Sequence, residues 1–182
     1  MDGNKTTQMM TNSHDLQSLL SSCKKCSQTV HEGKNIISQY DLPLTTIDPN
    51  SALLSPIAFI VLIHDSSQPT NPGHWVCLLV SLKSKFIILC DGLNYATQNH
   101  RFMHDLRLFS KRHNLSLVNL GIRYQQNDTN YCGQLAVSIV CAFSEMRSRS
   151  FKVMISLLKR NSIKTNELYL LKYVQKHLHF KI

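Results

Sequence analysis

The sequence predicts an α+β domain: a small mixed central sheet, a buried helix carrying a cysteine at its start, and further helices around them. Three observations carry this. Ile57–His64 (IAFIVLIH) is a continuous β-branched and aromatic run, as expected of a strand covered on both faces. His74–Leu82 and Lys85–Asp91 are two further runs of this kind around a short turn near Leu82–Ser84, which makes them a hairpin. Cys132–Met146 is apolar nearly all round and long enough to be a central, enclosed helix.

The remaining elements follow in order. Residues 1–12 are polar and read as a flexible N-terminus, leaving 13–182 as a single domain. Ser13-His14-Asp15 followed by Leu16, Leu19 and Leu20 predicts a short capped helix. Pro43 and Pro49 keep the stretch to about Ser55 loop-rich, and Asp65–Gly73 is a polar loop. Asn99–His113 predicts a helix burying Phe102, Met103, Leu106, Leu108 and Phe109, with basic residues between them. Leu115–Arg123 reads as a strand, Arg147–Arg149 as the end of the central helix, and Phe151–Leu158 and Asn166–Leu178 as two amphipathic helices.

Composition narrows the class. No apolar run reaches 18 residues, so no transmembrane helix and no membrane partner are expected. The N-terminus has no hydrophobic signal region. Six cysteines, at 23, 26, 77, 90, 132 and 141, lie mostly in apolar segments, which predicts reduced thiols in an intracellular compartment. Twenty Lys and Arg against eleven Asp and Glu give +9, a charge that attracts polyanions. No zinc-finger, helix-turn-helix or RNA-recognition motif accompanies it.

The segment Tyr124–Gln134 (YQQNDTNYCGQ) reads as the nucleophile segment of a cysteine protease. Cys132 follows a turn-forming run and opens the apolar helix. The unpaired N–H groups and positive dipole at a helix N-terminus favour thiolate over thiol. The same N–H groups can hold a developing oxyanion, and Gln126, with Gln125 as its competitor, offers a side-chain amide to complete the hole. A thiol protease also needs a base and a group that orients it. Of nine histidines, His74 is the best base, because it opens a strand directly after a loop. Asp91 ends the next strand. Side chains alternate between faces, so a hairpin loop of two or four residues puts His74 and Asp91 on one face, whereas a three-residue loop brings Asn94 there instead. Asp91 also precedes Gly92, and Asp-Gly is a common turn pair. Trp75 can wall the imidazole or the substrate channel, and Gly133 allows a substrate chain to approach the backbone.

The ordered set Gly73-His74-Trp75, Asp91-Gly92-Leu93, Gln126 and Cys132-Gly133 resembles the adenain group of cysteine proteases, which includes the adenovirus maturation protease and is related to the SUMO-specific proteases. The order His, acid, Gln, Cys is its mark. The 17-residue gap from His74 to Asp91 is similar to adenain, and the six-residue gap from Gln126 to Cys132 is similar to the SUMO-protease branch. The resemblance covers about residues 15–178. It implies an adenain-like cysteine protease fold, with His74 as base, Asp91 as its orienting acid, Cys132 as nucleophile and Gln126 in the oxyanion hole. It places substrate beside Trp75 and Gly133, with a glycine before the scissile bond.

The resemblance further implies virion precursor proteins as substrates, in the host nucleus and the virion, with conjugates of ubiquitin-like modifiers as the alternative. An inactive basic nucleic-acid-binding module on the same fold is the rival of a different class. No cofactor is required for the chemistry itself. DNA and a disulfide-attached peptide are the activators the family implies, although no cysteine lies between Cys90 and Cys132, where the family's partner cysteine falls. Cys23-Lys24-Lys25-Cys26 with His31 falls short of a zinc set, because it is one CxxC without a second pair or two later histidines, so no metal is expected.

Overall fold

The computed structural model describes residues 12–23, 26, 29–30, 35–48, 56–64, 73–145 and 150–178. The N-terminal tail, the loop before Gly73, His31, the Lys24-Lys25 pair and Arg147–Arg149 lie outside these residues, apart from Asn12. The strands are β1 (Ile36–Ser38), β2 (Ile57–Ile63), β3 (His74–Ser81), β4 (Phe86–Cys90) and β5 (Ser116–Asn119). The helices are α1 (Ser13–Ser21), α2 (His100–Arg112), α3 (Cys132–Ser144), α4 (Ser150–Arg160) and α5 (Ile163–Leu178).

β2 and β3 are apolar at nearly every position because helices cover both faces of the sheet. Alternation sends Ile57, Phe59, Val61 and Ile63 into a core shared with Phe102, Leu106 and Phe109 of α2. Ala58, Ile60, Cys77 and Leu79 enter the other core, with α1, α3, α4 and α5. Phe59 and Phe109 meet edge to face, with ring centroids 5.7 Å apart. Leu108, expected on the buried face of α2, is instead 50% exposed. It falls between the stripes set by Phe102, Leu106 and Phe109 and points away from the sheet.

The sheet order is β1-β2-β3-β4-β5, with β1 parallel to β2, β4 parallel to β5, and the inner pairs antiparallel. β1 was not expected from the sequence. It is three residues long and exists because Asn35 and Gln39 pair with β2 on either side of it: Ile60 N–H donates to the Asn35 carbonyl, and Gln39 N–H donates to Leu62. β5 is shorter than the run Leu115–Arg123, since the chain turns through Gly121 at φ 62°.

Asn12 caps α1 and forms a reciprocal capping box with Asp15. Ser162 caps α5, which therefore starts at Ile163 rather than Asn166. In α3 every residue from Gly133 to Phe143 is buried. Removing a large side chain such as Ile139 from such a position costs about 2–5 kcal/mol. Ser138 Oγ donates to the Leu170 carbonyl at 2.8 Å, fixing the register of α3 against α5. No helix among the described residues is long and apolar enough to cross a membrane.

Two cysteines depart from the expectation of reduced thiols. Cys26 and Cys141 are joined by a disulfide across 115 residues, which ties the segment after α1 to the far end of α3. Cys23 Sγ lies 2.9 Å from Cys26 Sγ. Cys77 and Cys90 face each other across β3 and β4 as free thiols.

Candidate catalytic site

Four residues, 82–85, connect β3 to β4, and Ser81 pairs with Phe86. This even count decides the parity. Cys77 pairs with Cys90, so Asp91 follows opposite Val76 and stands diagonal to His74 on the same face. His74 Nε2 and Asp91 Oδ1 are 2.6 Å apart, with both side chains buried. Asp91 is also the hub of the turn after β4. Its Oδ1 accepts from Leu93 N–H at 3.0 Å, and its Oδ2 from Ala96 N–H at 2.6 Å. Asp91 therefore both braces the turn and bonds His74. Asn94 is exposed in the left-handed region at φ 57°; its N–H donates to the Asp91 carbonyl and its carbonyl accepts from Thr97 Oγ1.

Cys132 begins α3 and reaches His74 around the end of the sheet. Since Nε2 is engaged by Asp91, Nδ1 is the ring nitrogen left for Sγ. The first intrahelical bond is Leu135 N–H to the Tyr131 carbonyl, so the N–H groups of Cys132, Gly133 and Gln134 precede the helix ladder. Those of Gly133 and Trp75 point at the Cys132 sulfur.

The electrostatics favour an ion pair. Burial pushes the Cys132 thiol up, but the hydrogen bond and charge of His74, with the Trp75 and Gly133 N–H groups, outweigh it and hold the thiol below its ordinary value. Burial alone would lower His74. Its hydrogen bonds to Asp91 and Cys132, and their negative charge, raise it to about 9. Burial raises Asp91, yet His74 and the Ala96 and Leu93 N–H groups bring its carboxyl below the usual range. Both members of the Cys132–His74 pair are thus shifted toward thiolate and imidazolium.

Cys132 and His74 open onto a cleft of about 740 Å³, with Asp91 buried behind His74. Trp75, Tyr95, Gln125 and Leu62 line it, and Asn12, Ser13 and β1 form its far wall. Tyr95 stands edge-on to His74, with the centroids 6.4 Å apart. Trp75 lines the cleft and also packs into the core beneath it. Gly133 is buried, and its N–H points at the Cys132 sulfur.

Gln126 is the main correction. Its backbone N–H and its Nε2 both donate to Glu167 of α5, at 2.9 and 3.0 Å, and its side chain does not line the cleft. Its neighbour Gln125 does. Gln125 is buried, its Nε2 donates to the Thr129 carbonyl at 3.0 Å, and Tyr124 and Gln125 N–H both donate to the Gly92 carbonyl at 3.0 Å. Glu167, Tyr95 and the β1 wall had no signal in the sequence. Each reaches the site through a tertiary neighbour rather than a local motif.

Compared with known proteins, the sequence matches no protein-family model and no curated protein.

Proposed function

We propose that this chain is a cysteine endopeptidase in which Cys132 is the nucleophile, His74 the base and acid, and Asp91 the group that orients His74. The observation that carries the reading is the continuous relay from Cys132 through His74 to Asp91 at the mouth of the cleft. The Cys132 thiolate attacks a peptide carbonyl. The N–H groups at the start of α3 hold the resulting oxyanion, joined by the second N–H of Gln125 Nε2, whose first donates to the Thr129 carbonyl; Gln125 takes the role first given to Gln126. His74 gives its proton to the leaving amine, and an acyl-enzyme forms. Water then attacks the acyl carbonyl as His74 takes its proton; the carbon–sulfur bond breaks, the acid leaves, and the thiolate–imidazolium pair is restored.

The adenain resemblance extends this to a virion maturation protease, cleaving virion precursor proteins after glycine beside Trp75 in the host nucleus and the virion, with DNA and a peptide as activators. The net charge of +9 suits a polyanionic activator. Removal of ubiquitin-like modifiers is the second reading. Its sequence support was the spacing of Gln126 from Cys132, which weakens once Gln126 is engaged by Glu167.

The test is a cleavage profile on peptides carrying glycine before the scissile bond and on modifier conjugates, with and without DNA. Turnover lost in Cys132→Ala and His74→Ala supports the reading. Undiminished turnover in Cys132→Ala, or DNA binding with no cleavage by the wild type, overturns it.

A further inference from the structure

Glu167 is buried on α5, 41 residues from Gln126, and its carboxylate gathers three donors from one loop. Gln126 N–H reaches Oε2 at 2.9 Å, Gln126 Nε2 reaches Oε1 at 3.0 Å, and Thr129 Oγ1 reaches Oε2 at 2.6 Å. Thr129 is also the residue whose carbonyl receives the Gln125 amide. A continuous path therefore runs from Glu167 through Thr129 to Gln125. The anchor's own helix is tied to α3, because Ser138 Oγ donates to the Leu170 carbonyl, one turn beyond Glu167.

We propose that Glu167 is the positioning residue for the oxyanion hole. It holds the loop 124–130 in the one conformation that aims Gln125 into the cleft, and Gln126 is its handle rather than an oxyanion donor. This deepens the protease reading and rests on it. The loop needs such an anchor. It has no helix or strand; besides the Gly92 carbonyl at its start, the local Arg123–Asn127 and Thr129–Gln126 contacts and α3 at its end, Glu167 is the group from another element that gathers its middle. An oxyanion donor must hold its place to within about half an ångström, which a loop achieves only with this kind of support.

The experiment compares Glu167→Ala, Glu167→Gln, Gln125→Ala and Glu167→Ala/Gln125→Ala in the full chain. Gln125→Ala should lower kcat by about 10²–10³-fold with little change in KM. Glu167→Ala should lower kcat about 10–100-fold, and Glu167→Gln less, because it keeps one acceptor oxygen. The double variant should be no slower than Gln125→Ala, since Glu167 acts through Gln125. The rate of Cys132 alkylation against pH should be unmoved in all of them, because the thiolate rests on His74 and the start of α3. Multiplying losses in the double variant, or a full kcat in Glu167→Ala, would overturn the proposal. A merely structural role would lower Tm and leave kcat per alkylatable Cys132 intact, and this too would overturn it. One readout is independent of turnover: the Gln125 side-chain amide resonances, ordered in the wild type, should collapse to the free-amide position in Glu167→Ala. A wild type that cleaves nothing sinks the protease reading, whereas unchanged Gln125 resonances sink this one.

Discussion

Asp91 meets His74 diagonally across the β3–β4 hairpin, 2.6 Å from Nε2 to Oδ1, while the same carboxylate ties down the turn that follows β4. One side chain thus holds both a ring and a loop.

Removing that carboxylate should damage catalysis and folding together. Asp91→Ala is expected to lower kcat/KM on the order of 10²–10⁴-fold by freeing the imidazole. It also leaves the Leu93 and Ala96 N–H groups without their acceptor, at about 1–3 kcal/mol in urea unfolding. Asn94→Ala, at an exposed left-handed position, should cost roughly 1–2 kcal/mol from backbone strain and leave kcat within a few fold. The reverse ranking in kcat would make Asn94 the orienting group.

The pH dependence follows from the paired shifts. Cys132 is held low, so thiolate is present once pH exceeds its lowered value. His74 is held up, so imidazolium persists until about pH 9. The active ion pair exists between these limits. The profile of kcat/KM should therefore be bell-shaped, with its alkaline limb near 9 and its acid limb below the ordinary thiol range. In His74→Ala the thiol loses the group that lowers it, so iodoacetamide should label Cys132 far more slowly at neutral pH. Labelling that keeps its wild-type pH profile would separate Cys132 from His74.

Gly92 is a steric test of the oxyanion loop. A Cβ there would stand 2.9 Å from the Tyr124 ring and 3.0 Å from Gln125 Cβ. Tyr124 is fully buried and cannot swing away. Gly92→Ala should cost about 1–3 kcal/mol and displace Gln125, lowering kcat more than KM changes. A wild-type kcat would show that the loop tolerates the shift.

The Cys26–Cys141 disulfide closes a separation of 115 residues. By the chain-entropy argument, opening so long a loop costs up to about 5 kcal/mol. Reductant should lower the urea midpoint of the wild type and leave that of Cys26→Ala/Cys141→Ala unmoved. Equal midpoints for the wild type with and without reductant would count against the bond.

The hairpin and the two ends of the relay were legible in the sequence because they rest on short-range rules. Alternation plus an even turn places Asp91 beside His74, and a polar turn before an apolar run places Cys132 at a helix start. What was illegible depends on distant partners. Ile36–Ser38 is a strand only because β2 lies beside it. Gln125 and Gln126 are equivalent in an irregular loop, where no periodicity assigns a side, and Glu167 decides between them from 41 residues away. The cysteine pattern suggested six thiols, since nothing local brings Cys26 to Cys141.

The Gly92 carbonyl accepts from both Tyr124 and Gln125, and the next residue back, Asp91, holds His74. His74 and Gln125, the groups proposed to transfer the proton and to hold the oxyanion, are therefore surveyed from one benchmark, the adjoining residues Asp91 and Gly92 after β4. When that pair fluctuates, both groups move in the same direction, and their separation changes far less than either position does. Alignment at this site is a property of one shared fixed point, so it can survive breathing of the surrounding domain that would scatter two independently mounted groups.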